Sequence, residues 1–524
     1  MTRPPGSRGR ADGGRLGRRA LGVCLAVALV HGTTWAFVDP PLQGPDEPAH
    51  IATVEYVAHQ GRPPDLASGP TSFTGNSQVD ALAHDMPISI DGDPSFSPEL
   101  SAMARRDLRS PTHVGPPPLY VSTNPPLYYA LAALPTLAIP ARSILDRMLL
   151  MRLVSVLLFG VTVALGFVFI REVLPGEPWA WTVGGLALAL QPVLAFMGGA
   201  VSPDSALFAS AAGLFAALAR AFRLGLTPRR GAMIGLAALL GCLSKGTMYG
   251  LLPGAALGTL LCALRQRAAV RENDDGDPRS PARLAGPRSA ARGLVAGAGL
   301  FAVPFAAWLW VNTHVFSRAA TTTTSGYAVP HTSRLHYVAS IASYIWQEFL
   351  PRLPFMGVQF RHDFPAPAPG LAPFPAFPHY ALWQVWLEGF IGRFGFSEYS
   401  FPTWFNVIAA TVLAALGICA LRFAWRASRL RRGRAELITF TLMLLGNFTL
   451  VALVAYQYRH ATGGINFEQT RYLFPCIVLY GLIVAAACRA LGPRWGRVLG
   501  AVVVVLAAGH AVGALLLTMG RYYG

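Results

Sequence analysis

Charge is scarce in this chain. Of its 524 residues 13% are Asp, Glu, Lys or Arg, while 53% are hydrophobic and the mean hydropathy is +0.42. Soluble globular domains carry about 25% charged residues, so that class is excluded and a polytopic membrane protein is specified. Cysteine is scarce as well: Cys24, Cys242, Cys262, Cys419, Cys476 and Cys488 lie in or beside apolar runs, without metal-ligand spacing or a paired extracytoplasmic set, and read as buried thiols. Lysine is almost absent, because Lys245 is the one lysine among 43 Lys plus Arg residues. The formal charge of +17 could suggest nucleic acid, but the arginines fall in short clusters between apolar runs, where membrane orientation explains them. No nucleic-acid module is visible, and the partner implied by composition is the lipid bilayer.

What is present is a series of apolar runs. A spanning helix needs about 20 apolar residues, and positive charge stays on the cytoplasmic side. A basic cytoplasmic tail, 1–19, precedes the first span at 20–38, which reads as a retained signal anchor. Basic turns at 220–230, 265–292, 422–434 and 489–497 are expected inside. Between them spans are expected near 148–171, 178–199, 204–223, 231–243, 247–264, 292–313, 404–424, 435–456, 470–488 and 498–518. The fold class is therefore an all-α polytopic membrane protein of about eleven helices, N-terminus inside and C-terminus outside. Two large loops, 39–147 and 314–403, are expected outside, with a cytoplasmic loop at 265–291. The proline-bounded segment 125–140 is apolar but short, and counting it as a span would break the parity of the basic turns. It is expected to be an interfacial or re-entrant helix on the outer face.

This threading gathers the conspicuous polar motifs at the outer face: Asp46, Glu47 and His50 in "PPLQGPDEPAHI", Asp204 in "AVSPDSA", Lys245 in "CLSKGTMYG", Glu388 and Arg393 in "LEGFIGRFGFSEYSFP", and Glu468 and Arg471 in "NFEQTRYLFP". Such a gathering would form a cleft for an anionic substrate with its own base. Gly44-Pro45 ends the exit from the first span, Asp46 can cap a new helix, and Pro48 fits its first turn. Ile51, Val54 and Ala58 then mark an apolar stripe for a helix lying along the membrane surface. Capping alone accounts for Asp46 but not for Glu47 beside it, nor for His50 one turn on, within reach of either carboxylate. Two carboxylates with an imidazole could bind a divalent cation or tune a base, and both readings stay open. Lys245 is a point charge suited to phosphate, or a snorkelling lysine. Arg393 and Arg471 are further cation candidates, and Asp204 follows Ser202-Pro203 at a helix start, where an N-cap is the plain reading. His331, His336, His362 and His379 read as loop histidines.

The segments "PPLQGPDEPAHIATVEY", "TNPPLYYALAAL", "GGAVSPDSALFA", "LSKGTMYGLLP", "GRFGFSEYSFP" and "QTRYLFP" resemble, in order and spacing, a bacterial family of large polytopic membrane proteins with a P-D-E-P-A-H segment after the first span. That family in turn resembles the GT-C superfamily of glycosyltransferases. The resemblance implies transfer of a sugar, with inversion, from a polyprenyl-phosphate donor to a cell-envelope glycan or lipid-linked acceptor at the extracytoplasmic face of the bacterial cytoplasmic membrane. It implies an acidic residue in the first outer loop, where Asp46 and Glu47 stand; the chemistry then suggests Asp46 as general base with Glu47 as rival, Glu47, His50 and Asp204 positioning the acceptor or a divalent ion, and Lys245, Arg471 and Arg393 meeting the phosphate. Two departures stand out: Phe-Ser-Glu at 396–398 where a tryptophan-containing stretch is expected, and Thr470 where glycine is common. A transporter or flippase of lipid-linked saccharides is the alternative. It would place its ionisable groups near the bilayer midplane and show internal repeats.

Overall fold

The computed structural model describes residues 7–64, 74–85, 114–117, 119–139, 143–272, 286–316, 382–395, 397–426, 433–462 and 469–524. They form seventeen α-helices by our numbering, and the only strands among them are the two-residue pair Arg393–Phe394 and Tyr399–Ser400. Eight helices are long and apolar enough to cross a membrane, and two bent pairs bring the total to ten. The long ones are α1 (Ser7–Val38), α6 (Ile144–Val173), α9 (Asp204–Leu224), α11 (Leu252–Glu272), α12 (Pro287–His314), α14 (Thr403–Arg426), α15 (Arg434–Thr462) and α17 (Gly492–Tyr523). The eleventh expected span is α10 (Pro228–Cys242), which has 15 residues and ends before a 3-10 turn, Gly246–Leu251.

Each bent pair owes its bend to a proline. In the first, α7 (Pro178–Ala189) turns by 56° into α8 (Pro192–Gly199). Pro192 cannot donate to the preceding turn, so the helix breaks there and Gln191 restarts it, its side chain accepting the Leu194 N–H at 2.5 Å. In the second, the 3-10 turn Thr470–Cys476, which contains Pro475, turns by 64° into α16 (Val478–Ala490). Both bent pairs lie against α13 (Leu382–Gly392), reached by the side chains of Gln191 and Thr470.

Four short helices follow the first span: α2 (Glu47–Gln60), α3 (Ser77–Asp85), α4 (Leu119–Ser122) and α5 (Leu127–Ala138). Of these, α2, α3 and α5 share an apolar core with α6, in which Leu42, Ile51, Val54, Val79, Tyr128, Ala132 and Met151 are fully buried. The sequence pattern suggested a surface helix for α2 with one apolar stripe; instead every residue from Glu47 to Tyr56 is buried. The stripe understates the burial because α2 packs on several elements at once and its polar residues find partners there. Two arginines of α6 bolt it down: Arg152 to Glu47 at 2.6 Å and Arg147 to Glu55 at 3.0 Å. The segment expected to be a short helix at 125–140 is α5, 12 residues long, packed between α2 and α6.

Candidate functional site

Asp46 and Glu47 are adjacent but face opposite ways, and the backbone is the reason. Asp46 sits at φ 60°, ψ 13°, the left-handed region. Such a backbone costs a non-glycine residue roughly 1–3 kcal/mol, and Asp is among the side chains that tolerate it best. The turn aims Glu47 inward. Its carboxylate is fully buried and accepts from Arg152 Nε at 2.8 Å, Arg152 Nη2 at 2.6 Å and the Val201 N–H at 2.9 Å. Arg152 gives its remaining hydrogens to the carbonyls of Ala36, Asp39 and Pro40 at 2.7–3.0 Å, so all its donors are committed. The Asp39 carboxylate receives none of them. Burial raises its pKa well above the usual carboxylate range, against the pull of Arg152.

Asp46 stands at the N-cap of α2 without making the capping hydrogen bond. Its carboxylate, 32% exposed, accepts instead from Arg471 Nη2 at 2.5 Å. Arg471 Nη1 lies 3.7 Å from Asp204 Oδ2 and donates to the Pro45 carbonyl at 3.2 Å. Asp204 in turn accepts from Lys245 Nζ at 2.7 Å. Asp204 is not the N-cap the sequence suggested: Pro203 holds that position, Asp204 is the first helical residue, and its N–H donates to Ser202 Oγ at 3.3 Å. Beneath both cations lies the Tyr472 ring, 5.1 Å from Lys245 Nζ and 5.1 Å from the Arg471 guanidinium, a cation–π seat that fixes their height. Two carboxylates and two cations from four distant stretches thus close one charge-balanced chain, Asp46–Arg471–Asp204–Lys245. Burial works to raise the Asp46 pKa, but the charge of Arg471, with that of Lys245, holds it below the ordinary value.

His50 completes the group. Nδ1 is 3.0 Å from the Tyr129 hydroxyl, which also accepts from the Asn124 amide at 3.3 Å. Burial, against the attraction of Asp46, lowers the imidazole pKa to about 3, so it is neutral at physiological pH. Nε2 makes no hydrogen bond to any described residue.

Beside this chain opens a cavity whose wall includes Pro45 and Arg471 on one side, Phe196 and Met197 of α8 on another, and Gly389 and Arg393 on a third. Two guanidiniums therefore line a pocket with an apolar wall. Glu388 is half-buried, which raises its pKa despite the nearby Arg393. Gly389 is needed here: a Cβ at this position would stand 2.1 Å from Thr470 Oγ1, which donates to the Trp386 carbonyl at 3.1 Å. Thr470 is thus seated by a missing side chain on α13.

Asp46, His50, Asp204, Lys245 and Arg471 come together, Arg393 joins them across the cavity, and Glu47 turns away. Glu468 and the four loop histidines lie outside the described residues. Arg152, Tyr129 and Tyr472 escaped the sequence reading. Arg152 had a signal, since an arginine inside an apolar run demands a buried partner. Asp46 and Asp204 are both occupied by side-chain cations, and among the described residues no three His, Cys, Asp or Glu side chains are grouped to hold a metal ion. As placed, the described residues of this site do not form a divalent-cation site.

A family model described as a predicted membrane protein, DUF2142, matches residues 29–480. No curated protein matches the chain. Among solved structures the chain is similar to the Archaeoglobus fulgidus oligosaccharyltransferase tethered with an acceptor peptide containing the NVT sequon, at 13% identity and TM-score 0.43, over 96% of this chain and 55% of that one. It is also similar to the oligosaccharyltransferase AglB of the same organism in complex with an inhibitory peptide and a dolichol-phosphate, at 14% identity and TM-score 0.39, over 96% and 56%. The chain spans about half the length of these proteins.

Proposed function

The chain belongs to that family of predicted membrane proteins, and from this premise we propose that it is a glycosyltransferase of GT-C type, moving a sugar from a polyprenyl-phosphate donor to a cell-envelope glycan or lipid-linked acceptor at the outer face of the membrane. One observation carries the reading: a partly exposed carboxylate, Asp46, held in a left-handed turn beside a cavity lined by Arg471 and Arg393. Base and anion site lie side by side, as displacement at a sugar phosphate needs.

The step follows from that placement. The acceptor hydroxyl gives its proton to Asp46 as its oxygen forms the new bond to the sugar's anomeric carbon. The bond from that carbon to the phosphate oxygen breaks, and its electron pair leaves with the polyprenyl phosphate. Arg471 and Arg393 stabilise the charge that grows on this oxygen, with Lys245 fixing Asp204 and hence Arg471. Attack on the face opposite the leaving group inverts the centre and needs one carboxylate, not two. Glu47 takes no part in this chemistry; it holds Asp46 in place through Arg152. Phe196 and Met197 supply an apolar wall for the first isoprene units.

The test is purified protein in proteoliposomes with a panel of radiolabelled polyprenyl-phosphate sugars and envelope glycan acceptors. Labelled acceptor together with free polyprenyl phosphate is the expected result. Movement of intact lipid-linked saccharide across the bilayer, with no bond broken, would replace this reading with a carrier.

A further inference from the structure

The carboxylate–guanidinium pairs made by Glu47 and Asp46 are built differently. A guanidinium offers Nε–H and one Nη2–H side by side, a fork that matches two oxygens of one anion. Arg152 fills its fork with both oxygens of Glu47, each within 2.8 Å, and both side chains are sealed from solvent. Arg471 does not. Its Nη2 holds one oxygen of Asp46 and also donates to the Tyr472 hydroxyl at 3.3 Å, while its Nε makes no hydrogen bond to any described residue although the side chain is 3% exposed. A buried donor left empty on the binding edge of a guanidinium is costly, and an arriving anion with two oxygens would satisfy it. Arg471 also lines the cavity, so an anion held there would stand against this guanidinium. Asp46, for its part, is partly exposed and strained in its backbone, hence the partner more easily parted from the pair.

We propose that the Asp46–Arg471 ion pair is a latch opened by the donor: the lipid phosphate takes the Nε–Nη2 edge of Arg471, and Asp46 is released to act as base only once donor is bound. This rests on the transferase reading above. Phosphate and Asp46 compete for one edge, so each weakens the other's hold on it, and the coupling is reciprocal. The pairing explains how a carboxylate held too acidic to be an efficient base can serve as one. The group that depresses it is the group the substrate removes. It also keeps the acceptor hydroxyl from being activated in an empty site.

The test needs no knowledge of the sugar. Binding of a polyprenyl monophosphate is measured in proteoliposomes for wild type, Asp46→Asn and Glu388→Gln, the last removing a carboxylate near Arg393 without touching Arg471. The latch requires Asp46→Asn to bind roughly tenfold tighter than wild type, with Glu388→Gln gaining much less. Equal affinity in wild type and Asp46→Asn, or an equal gain from Glu388→Gln, overturns the latch and leaves the transferase reading standing. Absence of binding in all three overturns both. Wild type alone gives a second reading: the acid limb of kcat must lie at higher pH than that of kcat/KM for the donor, because Asp46 loses Arg471 in the complex while His50, Lys245 and Asp204 stay beside it. Coincident limbs overturn the proposal.

Discussion

One backbone angle turns two neighbouring carboxylates apart, Glu47 into a buried ion pair and Asp46 toward the cavity-lining Arg471, as the base of the proposed reaction. Glu47→Gln would leave the Arg152 charge buried without its partner, and removing one member of such a pair costs about 3–5 kcal/mol; thermal unfolding in detergent should show a destabilised protein. Asp46→Asn should do the reverse. Asn tolerates the left-handed backbone, so the fold persists, but the base is gone and turnover should fall by about 10²–10⁴. The sequence marked both residues without distinguishing them, because their opposite directions arise from φ at Asp46, which no propensity encodes. Lys245 was legible for another reason: a lone lysine in an arginine-rich chain stands out, and it lies 2.7 Å from Asp204. Tyr472 gave no signal, since an aromatic at the start of an apolar span is ordinary.

At the scale of elements, the site depends on two spans that break where they reach it. Pro192 and Pro475 mark those breaks in the sequence, yet 178–199 and 470–488 read as continuous spans because their apolar composition does not change at the bend. Gln191 couples the first break to the cavity by donating to the Phe390 carbonyl of α13 at 2.7 Å. The contact of α13 with the second break is just as tight. Gly389→Ala would press a methyl group onto Thr470, at a cost of about 1–3 kcal/mol for overpacking. Activity and stability should both fall, and Gly389→Ala with Thr470→Gly should recover most of the loss. If the double variant is no better than the single one, the two residues are not matched in the way described. A similar close approach joins α10 to α12: a Cβ on Gly231 would meet the Gly293 carbonyl at 1.9 Å, and Gly235 stands likewise over Gly297. Small residues at this spacing let two spanning helices touch backbone to backbone, which binds the short α10 to a full-length neighbour.

The whole molecule was legible in outline. Hydropathy and arginine placement located each of the eight long apolar helices and two bent pairs among the described residues, because the bilayer permits few ways to satisfy a backbone. What the threading could not reveal was the burial of α2, which depends on contacts between segments about 100 residues apart. The orientation it implies has a direct check. His59 at the end of α2 and Arg229 at the start of α10 are both exposed. An impermeant maleimide added to intact cells should label His59→Cys, and Arg229→Cys only after permeabilisation; the opposite pattern would turn the site toward the cytoplasm. The account as a whole stands on Asp46. The measurement that tests it most directly is transfer of radiolabelled sugar from polyprenyl-phosphate donors by wild type and by folded Asp46→Asn in the same proteoliposomes. The account predicts labelled acceptor from wild type and a loss of at least about 10² in the variant. Equal turnover by the two proteins would contradict it.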